Sequence, residues 1–286
     1  MIRYDCHMHT SFSSDSETPP KLQIEKAIEL GMKGICVTDH MDYDFPDAVR
    51  SGMDFEFDPE DYFRQLGKLK DEYGSKIELL IGVEVGLRNE PECKASIKEK
   101  YERLLNGYPF DLVIGSTHCL EFTDPYYESP YWDNKDKACG IRTYFEAIKE
   151  NVVYYPDFDS LGHLDYLIRY VPKSTNDCKS TEKKADYNVS DFIDIIDEIL
   201  RLLIDTGKAL EVNTAGLKYG LGYPHPKAEV LKRYCELGGE LLTIGSDGHK
   251  PEHICYDFGK ASELLKELGY SYYTIYRGRR PYFIKL

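Results

Sequence analysis

The chain has 286 residues, of which 42% are hydrophobic and 30% charged, a composition typical of a globular protein with a sizeable core. Its formal net charge of -14 disfavours a broad nucleic-acid surface, because such a surface needs clustered positive charge. The sequence contains no run of about 18 apolar residues, so no membrane span is expected. The chain start lacks a secretory pattern, and none of the eight cysteines forms a Cys-x-x-Cys pair. These features predict a cytoplasmic protein with free thiols.

Short apolar segments alternate with longer amphipathic ones along the chain. We predict seven strands, at residues 2–9, 34–38, 77–85, 112–116, 160–162, 209–213 and 241–245. The clearest predicted helices are 20–30 and 190–206, the second with an N-cap at Ser190. Alternating strands and helices predict parallel β/α units, and no linker or repeat divides the chain, so we expect a single domain over residues 1–286.

Two segments, residues 41–65 and 119–137, interrupt this alternation and are predicted to be long loops, and the polar residues 180–189 are predicted to form a surface loop. Long loops at the carboxyl end of barrel strands usually shape a site. The second loop contains Tyr126, Tyr127, Tyr131 and Trp132, which either line a substrate pocket or cover the core. The last residues, 272–286, alternate around a Gly-Arg-Arg turn, which predicts a terminal hairpin.

Histidines and acidic residues recur where the predicted strands end. They are His7, His9, His40, Glu84, His118, His163, Asp247 and His249. One histidine at a strand end is more often a packing residue than a ligand, but strand ends in a parallel barrel meet at one rim, so this repetition favours a metal site. Imidazole and carboxylate ligands suit Zn, Mn or Fe and argue against an all-oxygen calcium site.

These motifs resemble those of the polymerase and histidinol phosphatase (PHP) family, from His7 to His249. The matching motifs are His-x-His-Thr, an acid soon after it, Thr-Asp-His, Gly-x-Glu, Ser-Thr-His, Gly-His-x-Asp and Ser-Asp-x-His. The histidinol-phosphate phosphatases of the family look most similar, given the compact length and the segments Gly-His-Leu-Asp-Tyr-Leu-Ile-Arg-Tyr and Glu-Val-Asn-Thr-Ala-Gly-Leu. The resemblance implies an α/β fold, a distorted (β/α)7 TIM-like barrel.

The resemblance also implies two or three divalent ions, Zn, Mn or Fe, in three sites. The implied ligands are His7, His9, Glu84 and Asp247 for the first ion, the bridging Glu84 with His118 and His163 for the second, and Asp15, His40 and His249 for the third. Glu17 is an alternative to Asp15, because both lie in the loop Ser-Ser-Asp-Ser-Glu.

Three further residues are candidates for substrate binding. Arg169 can clamp two phosphate oxygens. Lys218 stands where related phosphatases often carry Arg, and it keeps the charge without the bidentate geometry. His225, between two prolines, either contacts phosphate, protonates the leaving group or is a loop residue without a role. Together with Glu84 and Asp247, Arg169 and His225 form the predicted catalytic set.

The predicted activity is hydrolysis of a small phosphomonoester, with L-histidinol phosphate as the leading substrate and a metal-bridging hydroxide as the nucleophile. The alternatives are another phosphomonoester, a nucleotide or phosphodiester, C–N bond hydrolysis in an amidohydrolase-type barrel, and a metal-binding domain without catalysis. The last ranks lowest, because all nine ligand positions carry competent residues. A small phosphorylated molecule is the expected partner, rather than nucleic acid or a membrane, and Cys6, Cys119 and His253 are expected to be packing residues.

Overall fold

Parallel strands form a nearly closed barrel. The computed structural model describes residues 1–46, 54–126, 130–171 and 186–286. Its barrel strands are β1 (Tyr4–Asp5), β2 (Gly34–Val37), β3 (His40–Met41), β4 (Glu78–Gly86), β5 (Leu112–Ser116), β6 (Ser160–Leu161), β7 (Ala209–Asn213) and β8 (Leu242–Gly245). They pair in the order β1-β2-β4-β5-β6-β7-β8, and β3 extends the line of β2 along β4. All these pairings are parallel, so the carboxyl ends of the strands lie at one rim.

The barrel closes through the residues that follow its first and last strands. The Cys6 amide donates to the Ile244 carbonyl at 2.9 Å, and the Asp247 amide donates to the His7 carbonyl at 2.8 Å. The Met8 backbone forms a parallel bridge with Gly248 further along the same edge. This ladder confirms the predicted seven-stranded TIM-like fold, and it brings the first histidine motif next to the last acidic one.

Helices cover the outside of the barrel. They are α1 (Pro20–Glu29), α2 (Pro59–Tyr73), α3 (Lys94–Gly107), α4 (Lys137–Tyr154), α5 (Ile193–Asp205), α6 (Ala215–Lys218), α7 (Ala228–Glu236) and α8 (Phe258–Glu267). Helix α5 shows why they form, since Ile195, Ile199 and Leu203 recur at four-residue steps and are all buried against the barrel. Among the described residues, no helix is long and apolar enough to cross a membrane.

A terminal hairpin covers the amino end of the barrel, opposite the rim. Its antiparallel strands are β9 (Tyr272–Arg277) and β10 (Arg280–Lys285), as the sequence predicts. The Arg277 guanidinium lies 2.8 Å from the carboxylate of Glu78, the first residue of β4. Arg279 contacts Asp159, which directly precedes β6. These contacts attach the hairpin to the amino end of the barrel.

Several predicted boundaries are wrong. The predicted strand 2–9 is regular only over β1, because the buried Asp5 carboxylate accepts the amides of His7, at 3.4 Å, and Ser246, at 2.9 Å, in place of a continuous ladder. The predicted loop 41–65 contains the start of α2, where the Asp58 side chain caps the helix by accepting the Glu60 amide.

Two predictions near α5 also need correction. Ser190 is not an N-cap, because a 3-10 turn (Val189–Phe192) precedes the helix, which begins at Ile193. Tyr187 and Val189, at the end of the predicted surface loop, are buried rather than exposed, since the Tyr187 hydroxyl donates to the buried Asp165. Residues 180–185 of the predicted loop 180–189 lie outside the described residues, as does Tyr127 of the predicted loop 119–137. The seven cysteines in the described part of the chain are free thiols, and Cys6 and Cys119 are both buried.

Candidate metal centre

Glu84, near the carboxyl end of β4, faces histidines that come from other segments of the rim. Its Oε2 atom lies 3.2 Å from His7 Nε2, 3.4 Å from His9 Nε2 and 3.1 Å from His40 Nδ1. The Glu84 side chain is only 1% exposed. His7 and His9 are two residues apart after β1, so both rings leave the backbone on the same side. One carboxylate oxygen therefore meets three imidazole nitrogens.

The second oxygen of Glu84 faces a different pair of histidines. Its Oε1 atom lies 2.9 Å from His163 Nε2 and 3.2 Å from His118 Nε2, and it also accepts the Ser116 hydroxyl at 2.6 Å. His118 follows β5 and His163 follows β6, so the order of the strands in the sheet sets this arrangement. Glu84 thus lies between two groups of imidazoles, as a bridging ligand would.

Asp247 joins the first group from the opposite side. Its Oδ1 atom lies 3.4 Å from His9 Nε2 and 3.5 Å from His249 Nδ1. Its backbone has a φ of +52°, in the left-handed region that Asp tolerates better than most residues do. Such conformations persist where the surrounding structure enforces them, and they are concentrated at functional sites.

An outer group lies closer to solvent. Asp15 Oδ2 is 3.0 Å from His249 Nε2 and 3.6 Å from His40 Nε2. The His9 ring stacks against both His40 and His249, with centroids 4.2 Å apart in each case. Asp15 and Glu17 are both exposed, so the contact of Asp15 with His249, and not burial, distinguishes the two residues. The fold therefore brings Asp15 towards the histidines.

The donor atoms fit divalent metal ions. Three overlapping groups have ligand atoms that all lie within 4.8 Å of one another, namely His7, His9 and Glu84, then His9, His40 and His249, then His40, Glu84 and His118. The Nε2 atoms of His7 and His9 are 3.1 Å apart. Two facing ring nitrogens share at most one proton, whereas both can coordinate a cation as neutral imidazoles. Shared members make the cluster continuous, and its nitrogen and oxygen donors suit Zn, Mn or Fe.

The charges and burial at the cluster favour the ionised form of Glu84 and the neutral form of His9, which are the forms that bind metal ions. Burial opposes ionisation of Glu84, but the surrounding imidazoles outweigh it and hold the pKa of this carboxyl well below its usual range. Burial, together with the neighbouring His40 and His249, lowers the pKa of His9 to about 3, which keeps that ring neutral. Glu84 and Asp15 overcome the effect of burial on His40 and raise its pKa to about 9.

Two carboxylates that were not predicted from the sequence contact the Nδ1 atoms of His7 and His118. Glu211 Oε1, in β7, lies 2.6 Å from His7 Nδ1, and Asp42 Oδ2 lies 2.7 Å from His118 Nδ1. Metal-binding histidines are commonly oriented by carboxylates in this way. A charged residue inside the apolar strand Ala-Leu-Glu-Val-Asn was the available signal for Glu211, and proximity to His40 was the signal for Asp42.

A cavity of about 290 Å³ opens onto this cluster and contains Arg169 in its wall. The guanidinium lies over the rings of Tyr166, Tyr170 and Tyr219, at 4.8, 5.1 and 4.1 Å from their centroids. The Nη1 atom of Arg169 is buried and has no hydrogen-bond acceptor in the described part of the chain. The Nε atom donates to the Tyr170 hydroxyl at 3.1 Å, so the guanidinium is positioned by a neutral partner and keeps its charge for an anionic ligand.

The other two substrate-binding candidates lie outside that cavity wall. Lys218 Nζ donates to the Asp247 carbonyl at 2.9 Å, and burial lowers the pKa of this lysine. His225 is fully buried, its Nδ1 is paired with Asp165, and its backbone pairs with Asn213 at the end of β7. The His225 Nε2 atom has no partner among the residues that the structure describes.

Loop residues complete the cavity wall. Phe45 and Phe55 come from the first predicted loop, and Asp124 and Tyr126 come from the second. His253, expected to be a packing residue, also lines the cavity, because the 3-10 turn Pro251–His253 directly follows the metal-facing His249. Burial lowers the pKa of His253. The two long loops and this turn therefore surround the open side of the cluster.

A parallel barrel with histidines and carboxylates converging on its rim is the architecture of a metal-dependent PHP phosphoesterase. The PHP domain model matches residues 5–215, and the chain belongs to this family. It is 31% identical to the histidinol-phosphatase of Lactococcus lactis, covering 98% of this chain and 96% of that protein. It is 33% identical to the probable histidinol-phosphatase of Clostridium acetobutylicum, over 92% of each chain.

A solved structure of a related protein has the same fold. The crystal structure of the L. lactis histidinol phosphate phosphatase, in complex with zinc, L-histidinol and phosphate, matches this fold with a TM-score of 0.83 and 30% sequence identity. The match covers 98% of both chains. Sequence and fold thus agree on the same group of relatives, and the predicted family resemblance is confirmed.

Proposed function

We propose that this chain hydrolyses L-histidinol phosphate to L-histidinol and phosphate, as a cytoplasmic enzyme of histidine biosynthesis. The observation that carries the proposal is the convergence of five imidazoles on the two oxygens of Glu84, beside a cavity lined by Arg169, whose Nη1 atom has no acceptor among the described residues. The named histidinol-phosphatases that match nearly the whole length of the chain support the choice of substrate. We further propose that residues 1–286 act as one phosphoesterase domain.

We assign two or three divalent ions, Zn, Mn or Fe, to the cluster. The proposed ligands are His7, His9, Asp15, His40, Glu84, His118, His163, Asp247 and His249. Short distances between their donor atoms and the deep burial of Glu84 support the assignment. When bound, such ions lower the pKa of a water towards neutrality and offset the negative charge of a phosphate.

The protein groups around the ions have separate tasks in this proposal. Arg169 binds phosphoryl oxygens, because its partly buried guanidinium donates to the Tyr170 hydroxyl but leaves Nη1 without an acceptor among the described residues. Lys218, held by the Asp247 carbonyl, adds positive charge beside the cluster. His225, paired through Nδ1 with Asp165, is buried outside the cavity wall, so it would contact the phosphate or protonate the leaving alkoxide through its unpaired Nε2 atom only if the bound ester extends beyond that wall.

The size of the cavity supports a small ester. Pockets for small molecules usually have volumes of about 300–1,000 Å³, and this cavity, of about 290 Å³, lies at the lower end. The test is phosphate release by the metal-loaded protein from L-histidinol phosphate, nucleotides, other phosphomonoesters, a phosphodiester and an amide. We expect the highest kcat/KM with L-histidinol phosphate. A higher value with a nucleotide, or activity only with the amide, would overturn the proposal.

A further inference from the structure

We propose that Asp124 is a substrate-binding residue that accepts a cationic nitrogen on the alcohol half of the ester, an inference that rests on the function proposed above. Asp124 follows β5 in the predicted loop 119–137 and is only 5% exposed. It lines the same cavity as Arg169 and the metal-facing His118. Nothing in the motifs of the chain assigns this residue a role.

The Asp124 carboxylate is only half satisfied by the protein. Its Oδ1 atom accepts the Tyr126 amide at 2.8 Å. Its Oδ2 atom has no hydrogen-bond or ion-pair partner among the described residues, and it is not one of the fully buried atoms, so a ligand in the cavity can reach it. In contrast, the buried Asp42 and Glu211 each contact a histidine ring nitrogen at short range. A buried carboxylate without a partner is unfavourable unless a ligand supplies the missing positive group.

The surroundings of Asp124 favour an organic cation over a further metal ion. Aromatic side chains line the same cavity, including Phe45, Phe55 and Tyr166. Aromatic faces attract ammonium and imidazolium groups. Burial raises the pKa of Asp124 to about 6 and outweighs the Tyr126 amide and the imidazoles of His118 and His40, which act in the opposite direction.

The cavity therefore combines a partly buried positive group with a buried negative one. The guanidinium of Arg169 suits the phosphate end of a substrate, and the carboxylate of Asp124 suits a positive group on the leaving alcohol. L-Histidinol phosphate carries both a phosphate and an ammonium group, together with an imidazole that can be protonated. The pair thus selects a zwitterionic ester over a neutral or purely anionic one.

The test is Asp124→Asn, which keeps the shape of the side chain and removes its charge. Loss of one charge-assisted contact should lower kcat/KM for L-histidinol phosphate by about 10- to 100-fold, mainly through KM. Hydrolysis of p-nitrophenyl phosphate, whose alcohol is uncharged, and the metal content should stay at wild-type values. Asp133→Asn, an exposed substitution in the same loop, is the matched control and should change neither substrate.

Two substrate analogues identify the nitrogen. If Asp124 binds the ammonium group, the variant loses activity with L-phenylalaninol phosphate as well; if it binds the imidazole, the loss appears with the analogue that lacks the ammonium group. Equal losses with L-histidinol phosphate and p-nitrophenyl phosphate would overturn the inference, because they indicate a structural role. Unchanged kinetics with both would also overturn it.

A separate measurement distinguishes a wrong proposed function from a wrong role for Asp124. If the wild-type protein releases no phosphate from L-histidinol phosphate, the proposed function is wrong, and calorimetric titration with L-histidinol then decides the role of Asp124. Binding to the metal-loaded wild type that weakens by about 10- to 100-fold in Asp124→Asn supports the inference. Equal binding by the two proteins, or none by either, contradicts it.

Discussion

The Nδ1 atom of His7 lies 2.6 Å from Glu211 Oε1, inside the barrel and away from the cavity. The other oxygen of Glu211 accepts the backbone amide of His163 at 2.8 Å. Strand β7 supplies no proposed ligand. Its Glu211 carboxylate nevertheless contacts two segments that do supply ligands, at His7 and at His163. This contact fixes the ring of His7 with its Nε2 atom towards Glu84.

Replacement of Glu211 should weaken metal binding without removing a ligand. In Glu211→Gln we expect metal affinity to fall by about 10- to 100-fold, because the ring of His7 loses a negatively charged acceptor. Competition with a chromogenic chelator measures this. Glu240→Gln, at an exposed position, is the control and should behave as wild type. Equal affinities in the two variants would show that Glu211 does not orient the ligand.

Asp15 and Glu17 offer a matched comparison within one loop. Asp15→Ala should lose the outermost ion, because Asp15 Oδ2 lies 3.0 Å from His249 Nε2. Glu17→Ala, at an exposed position, should keep the wild-type metal content and activity. Elemental analysis of both proteins after purification without chelator measures the difference. Metal loss from Glu17→Ala alone would reverse the assignment.

Arg169→Ala should impair substrate binding and leave the ions in place. Removing a charge-assisted contact to phosphate should raise KM for phosphomonoesters by about 10- to 100-fold. Arg142→Ala, which removes an exposed ion pair with Asp194, is the control. Steady-state kinetics and elemental analysis are measured together. A fall in metal content, or an unchanged KM, would remove Arg169 from the phosphate site.

Metal binding should release protons from the cluster. In the metal-free protein, Glu84 and Asp15 outweigh burial and raise the pKa of His40 to about 9, so this ring is protonated at pH 7. A metal ion must displace that proton, so metal affinity should increase as pH rises towards about 9. Calorimetric titration at pH 7 in two buffers of different ionisation enthalpy measures the proton count. A binding enthalpy independent of the buffer would contradict this expectation.

The sequence predicted the fold, and the histidines and acids at the predicted strand ends lie close together in the structure, because strand ends converge in a parallel barrel. Glu84 and His118 are recognisable from the apolar strands that precede them, and the pairing of β4 with β5 brings them together. The contacts that orient the histidine rings were harder to predict from the sequence. Glu211 acts through a residue 204 positions away, and no local pattern indicates which partner a buried charge will find.

The positions of loop residues were the other feature that the sequence could not predict. Asp124 lies in a segment without helical or strand periodicity, so its sequence neighbours say little about which cavity it lines. The same reason applies to His253, whose turn has only three residues. In contrast, the helix start at Pro59 could have been predicted, because Asp58 before a proline is a typical capping sequence.

The most direct test of the account is the metal content and phosphatase activity of Glu84→Ala, measured beside the wild-type protein. Because both oxygens of Glu84 face imidazoles of the cluster, we predict loss of more than one ion per chain and of all detectable phosphate release from L-histidinol phosphate. A circular dichroism spectrum verifies that the variant is folded. A folded Glu84→Ala protein with full metal content and wild-type activity would contradict the claim that this carboxylate bridges the ions.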